Sequence, residues 1–288
     1  MKLSFLIPAA CCLAVALSSC DGDGNKSGSS DPATIEWKRI EVHKEYTAPE
    51  VIAAFPNDSI GSTFHADFVL LLPQFSDGSS STFLAALTDS LLGRLPVGDY
   101  PGITTPNARL EKHVEGLLER HKSIIADSAE DMANYGYSGA FIESYSMVDS
   151  LIFDKGGLVS LLGDLYQYTG GIHGMYAYLY TNIDFHKEAI LTADSLFMEG
   201  SEPQINELIL RKLMQIIGVT EPEELEENEA IDYKRAVMID NFFIDEKGIT
   251  FVYNIYEIAP YAVGAIMVGL PYADLAPYLR EEYAFLAK

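Results

Sequence analysis

The chain has 288 residues, 48% hydrophobic and 21% charged, with 19 Lys+Arg against 42 Asp+Glu and a formal net charge of −23. That apolar content excludes disorder for most of its length and supplies the core of one large domain or two small, intimate ones. The negative excess excludes an electrostatic grip on nucleic acid or anionic lipid and favours cationic partners in a salt-dependent way.

Lys2 precedes an apolar run, Leu3 to Leu17, too short to span a bilayer as a mature helix. Leu17-Ser18-Ser19-Cys20 then reads as a lipobox, with small residues before a cysteine as signal peptidase II requires. Residues 1–19 are expected to be a signal peptide, and Cys20 the lipidation site. Its thiol would carry diacylglycerol and its freed amine an acyl chain such as palmitate. Two or more chains anchor a protein durably where a single chain binds marginally. Cleavage removes Lys2 and no acid, leaving 18 Lys+Arg against 42 Asp+Glu, a formal charge of −24. Cys11, Cys12 and Cys20 are all in this segment, so the mature chain has no disulfide framework, thiolate metal site or cysteine nucleophile. No later apolar stretch reaches membrane-spanning length, so the expected anchor is lipid alone. The expected location is the cell envelope of a Gram-negative bacterium, at the periplasmic face or the cell surface. Asp21 follows the acylated cysteine, where acidic residues influence that sorting. An ordinary secretory signal is the alternative.

Residues 20–33 are rich in Gly, Ser and Asp and read as a flexible tether. Thr34 to Thr47 and Phe64 to Leu72 have strand character, the second ending at Pro73. Residues 82–95 carry leucines at helical spacing, and Pro96, Gly98, Pro101 and Gly102 break the chain after them. Residues 106–132 predict a long amphipathic helix, capped by Thr105 or Asn107, with Leu110, Val114, Leu117, Leu118, Ile124 and Ile125 buried. His113 and His121 on this helix are expected at the surface.

The second half is strand-rich: residues 140–153, 158–168 and 175–184, with turns at Lys155-Gly156-Gly157 and at residues 169–174. Residues 196–217 predict a helix with an acidic start and later Arg211 and Lys212. Residues 220–229 read as an acidic loop or a frayed helical turn. A hairpin joins residues 242–244 to 249–258, with Gly248 expected at positive φ. Residues 263–270 predict a last strand and 272–286 a last helix. Strands and helices do not alternate one for one. The expected class is therefore α+β: a mainly antiparallel sheet, a few packed helices and two intimately associated subdomains.

Metalloprotease, nucleophile-elbow, P-loop and dinucleotide fingerprints do not occur. Three weaker constellations remain. His173 lies in a turn flanked by Gly170, Gly171 and Gly174, as a ligand contact, a general base, or a turn residue bonded to local backbone. Asp184 and His186 could seed a metal site with His173 if the strand continued through them. However, residues 185–188 look like a turn, which spoils the shared face, so neither a metal site nor a cofactor is expected. Glu257 lies among apolar and aromatic residues, as an acid raised by burial or a structural carboxylate. Tyr261 follows it and joins His173 and Glu257 as a candidate binding residue.

Tyr166-Gln167-Tyr168-Thr169-Gly170-Gly171-Ile172-His173-Gly174, then Thr181-Asn182-Ile183-Asp184 and Leu196-Phe197, resembles the C-terminal domain of RsiV-like envelope proteins, which reads Y-x-Y-T-G-G-A-H-G, N-x-D, D-L-F. The runs 241–244, 248–251, 253–262 and 266–272 resemble it as well. The N-terminal half, through Phe68-Val69-Leu70-Leu71-Leu72-Pro73, more loosely resembles the accessory domain of RsiV and the deacetylase PdaC. The resemblance implies a PdaC/RsiV-type domain over 34–139 and an RsiV-type C-terminal domain over 140–288. Domains of this type are not known as enzymes, and in RsiV the extracellular part binds lysozyme. The family turn usually carries Thr-Gly-Lys where this chain has Phe185-His186-Lys187, which weakens a role for His186. The expected function is a lipid-anchored, non-catalytic binding or sensing module for a basic protein such as lysozyme or for a cell-wall glycan. The alternatives are a structural envelope lipoprotein, or a hydrolase of envelope polymers with His173 and Glu257 as acid and base.

Overall fold

The computed structural model describes residues 34–95 and 100–288. The expected signal peptide, Cys20, the 20–33 tether and the Pro96–Gly98 break lie outside the described residues. In chain order the elements are β1 (Ile35–Tyr46), α1 (Pro49–Ala54), β2 (Phe64–Phe75), α2 (Thr82–Gly93), α3 (Pro106–Ser128), β3 (Glu143–Lys155), β4 (Leu158–Thr169), β5 (Met175–Asp184), β6 (Ala189–Leu191), α4 (Ala193–Leu196), α5 (Glu202–Ile217), α6 (Glu223–Glu229), β7 (Phe242–Ile244), β8 (Gly248–Tyr253), β9 (Ile266–Pro271) and α7 (Tyr272–Leu275).

Strands β1 to β6 form a six-stranded sheet in sequence order, and β7 to β9 form a three-stranded antiparallel sheet. Only β2 and β3 pair in parallel in the larger sheet. A parallel neighbour needs a crossover, which α2 and α3 supply between them. The class is α+β with mainly antiparallel sheets. The β2–β3 pairing also carries one sheet across residues 139 and 140.

Alternation explains which face the helices cover. Phe64, Ala66, Phe68, Leu70 and Leu72 of β2 are buried beneath Leu87, Leu91, Leu110, Val114 and Leu118 of α2 and α3. A second core gathers Phe153, Leu158 and Leu191 from the large sheet with Ile205, Ile209 and Leu213 of α5 and Phe242, Phe251 and Val268 of the small sheet.

Pro73 does not end β2 but pairs with Trp37 inside it. The Leu71 N–H points away from β1, to Asp149 Oδ2 at 2.9 Å. Two residues on, Pro73 aims its missing donor the same way, where β3 no longer pairs, so no ladder bond is lost.

Several sequence expectations require correction. His113 and His121 are buried, not at the surface, because both lie on the α3 stripe and find partners there. His121 places Nε2 3.2 Å from Thr63 Oγ1 and Nδ1 3.4 Å from Glu143 Oε2. The His113 ring meets Phe68 edge-on at 6.1 Å. Ile124 is exposed instead. The 196–217 helix splits into α4 and α5, because Gly200 turns the chain at φ +81. The last helix breaks into α7 and a 3-10 segment, Glu281–Ala287, because Pro277 has no N–H to continue it. Residues 220–229 take the helical alternative, as α6. Strand β8 stops at Tyr253 rather than 258. Gly248 is not at positive φ; it is required because a Cβ there would strike the Leu270 carbonyl of β9.

Candidate functional site

The β4–β5 hairpin must reverse tightly at residues 170–174, and Gly170 and Gly171 do so at φ +82 and +97. A Cβ on Gly170 would lie 2.8 Å from the Ala140 carbonyl oxygen, so this turn sits directly on the preceding chain. The Tyr168 hydroxyl donates to Gly171 O at 3.0 Å and faces Gly139 O at 3.2 Å, tying hairpin tip to neighbouring turn. Gly174 leaves room for the Tyr166 ring. Ile172, at the apex, is 101% exposed.

The second half of the site is the loop between β8 and β9. Asn254 opens it, and its backbone N–H donates to Glu257 Oε2 at 2.7 Å. Tyr256 is held at φ +68, a left-handed conformation uncommon for a residue with a side chain. Its N–H donates to Ala259 O at 3.1 Å, closing the turn. Residues Tyr261–Val263 form a 3-10 turn, and Gly264 follows at φ +85. A Cβ on Gly264 would stand 3.2 Å from the Tyr176 hydroxyl.

The two loops meet face to face. The His173 ring stacks on Tyr261 with centroids 3.8 Å apart and planes 16° from parallel. Tyr176 and Tyr256 flank Tyr261 at 6.1 and 5.9 Å. A carbonyl only accepts, so the contact of His173 Nδ1 with Gly174 O at 3.1 Å makes Nδ1 the donor. Two tyrosines further along β5 are harder to ionise than usual. Burial is the main cause at both, followed by Asp164 at Tyr178 and by the Tyr178 ring at Tyr180.

The structure thus brings His173 and Tyr261 together. It places Glu257 in the same loop but bonds its carboxylate to backbone. Glu257 also adds its charge to burial in raising the Tyr253 hydroxyl. The weighed trio His173, Asp184 and His186 is not assembled. Ten residues of β5 at about 3.3 Å each separate the first from the other two, about 30 Å in all. Asp184 accepts from the N–H groups of His186 at 2.9 Å and Lys187 at 3.0 Å, and from the Tyr283 hydroxyl at 3.1 Å. It is therefore a turn cap, and His186 lies against Gly157.

Four residues escaped the sequence reading. Tyr176 and Tyr256 belong to the stack; the period-two aromatics at 176, 178 and 180 were the available signal. Asn241 and Asn254 seal the β5 edge where β6 does not reach. Asn254 Oδ1 accepts from Tyr178 N at 2.7 Å, and Asn241 Oδ1 accepts from Tyr180 N at 2.9 Å. The two side chains stand in for a strand and hold the loop against the hairpin.

Residues 194–273 match the family model described as a protein of unknown function, DUF3298. The matched span includes Glu257 and Tyr261 and stops short of His173. The fold is similar to two crystal structures of that family. One, from Bacteroides fragilis, is 20% identical with a TM-score of 0.68, covering 88% of this chain and 97% of the other. The second, from Pseudomonas aeruginosa, is 17% identical with a TM-score of 0.55 and the same coverage, 88% and 97%. No curated protein matches the chain in sequence. No described helix is long and apolar enough to cross a membrane.

Proposed function

We propose that this protein is an RsiV-like envelope lipoprotein, anchored through Cys20, that binds a basic protein partner without catalysis. Lysozyme, or another basic wall hydrolase, is the partner type. The observation that carries this reading is the His173–Tyr261 stack beside a fully exposed Ile172. Aromatic side chains on a rigid, solvent-facing turn give large contact area at small entropic cost, as at protein-binding hot spots. The chain's net charge of −23 favours capture of a cation at long range, while shape at the stack supplies preference. Glu257, engaged with the Asn254 N–H, serves in this reading as the clamp of the Tyr261 loop.

The test measures binding of residues 34–288 to lysozyme and to cytochrome c, both basic, at low and physiological salt. Lysozyme is expected to bind more tightly, and that preference is expected to survive physiological salt. Tyr261→Ala is expected to weaken lysozyme binding about tenfold or more. Equal affinity for both proteins, disappearing together as salt rises, would overturn the reading.

A further inference from the structure

A different face carries an independent site. Strands β1 and β2 are antiparallel, with His43 opposite Asp67 and Glu45 opposite His65. Side chains two apart on a strand share a face, so His43, Glu45, His65 and Asp67 form a two-by-two block. One donor atom each from His43, His65 and Asp67 falls within 4.8 Å of the others. His65 Nδ1 lies 3.2 Å from Glu45 Oε1, and His43 Nε2 lies 3.9 Å from the same oxygen. His43 Nδ1 is 4.0 Å from Asp67 Oδ1. The two imidazoles are edge to face at 5.3 Å. All four side chains are partly open to water, from 35% for His65 to 59% for His43.

Ordinary cross-strand ion pairs would account for each contact singly. They pair the groups two at a time and do not require one donor atom each from His43, His65 and Asp67 to meet within 4.8 Å. Two imidazoles and two carboxylates are also a nitrogen–oxygen donor set for a borderline divalent ion. Bonds of about 2.0–2.1 Å in a tetrahedron put donors about 3.3 Å apart, so the three converging atoms, within 4.8 Å of one another, must draw in by side-chain rotation, and Glu45, outside that trio, must swing toward them. Glu41, next on the same face, is occupied by Arg39 at 2.9 Å. Both strands are held in register from Ile35 to Phe75, so the ladder has already positioned the ligands.

We propose that His43, Glu45, His65 and Asp67 bind a divalent first-row transition metal, with Zn²⁺ the reference ion, and that the metal staples the edge strand β1 to β2. Four protein donors fill a tetrahedral shell, and the open face leaves room for a water as a fifth ligand.

The test is calorimetric titration of the full chain, untagged and freed of metal by chelation, with Zn²⁺ alone, alongside thermal melts. The expected result is one Zn²⁺ per chain with a dissociation constant on the order of micromolar, and a melting temperature that rises with Zn²⁺. Excess Mg²⁺ is expected not to compete, because two imidazoles disfavour it. His43→Gln and His65→Gln are expected to weaken binding at least about tenfold while retaining the circular dichroism of the parent. His186→Gln, in the turn after β5 and against Gly157, is expected to bind Zn²⁺ as the parent does. Absence of stoichiometric Zn²⁺ binding, or binding unchanged in both His43→Gln and His65→Gln, would overturn the proposal.

Discussion

Gly170 and Gly171 look equivalent in sequence and are not equivalent in structure. Both hold a left-handed backbone, but only Gly170 faces another atom, the Ala140 oxygen at 2.8 Å from a would-be Cβ. Gly171→Ala is expected to cost about 1 kcal/mol for the backbone alone. Gly170→Ala adds a collision with backbone that cannot step aside, so about 2–3 kcal/mol is expected. Urea unfolding of the two variants checks the ranking; equal losses would mean that the contact with residue 140 yields freely. Gly248 makes the same point from the other side. Its turn position suggested positive φ, whereas its need comes from a strand that arrives later in the chain.

At the scale of the element, α3 shows how a buried histidine ties stability to pH. Burial first, and the Arg120 charge second, hold the His113 imidazole below its ordinary 6.5. The unfolded chain therefore binds more protons below that pH, and stability is lost as pH falls from 6.5 toward the folded value. Asp149, Asp154 and Asp164 act oppositely, because burial raises each carboxyl above 3.8 and the folded chain binds more protons there. The difference between parent and His113→Leu separates these effects. Denaturant unfolding at about pH 7 and about pH 5.5 is expected to show a smaller acid loss in His113→Leu. An identical loss in both would assign the acid sensitivity to other groups. Periodicity placed α3 and most of its stripe correctly, but hydropathy ranked its histidines as surface residues. Their burial rests on Phe68, Thr63 and Glu143, which lie on other elements.

For the whole molecule, the decisive contacts join the two sheets, and many are polar. Asn241 Nδ2 donates to Tyr178 O at 3.0 Å and Val252 O at 2.8 Å, while its Oδ1 takes the Tyr180 N–H. Asn182 Nδ2 reaches Phe242 O at 2.6 Å, and Ser160 Oγ accepts from Ile244 N at 3.0 Å. Asn241→Ala would take the side-chain partner from the Tyr180 N–H and the Val252 carbonyl and leave Tyr178 O with Asn254 Nδ2 alone, at 3.2 Å. A loss of about 2–4 kcal/mol is expected, since each orphaned group costs about 1–3 kcal/mol and water recovers some of it. The Tyr180 amide is expected to exchange faster in native-state hydrogen exchange. An unchanged amide would show that something else protects the β5 edge.

Local pattern alone determined the strands β1 to β5, the helices α2 and α3, the α+β class and the turns at 155–157 and 170–174. Each of these rests on periodicity, turn residues or caps within a short window, such as the Ser81 side chain that accepts from Leu84 N. His173 and Tyr261 were also legible as candidates, because both lie in segments with a family resemblance. Their stacking was not, since 88 residues separate them and only the packing of two sheets brings the loops together. The block on β1 and β2 stayed hidden for the same reason. His43-x-Glu45 and His65-x-Asp67 are unremarked pairs in sequence, and the register between strands, a long-range property, makes them one site.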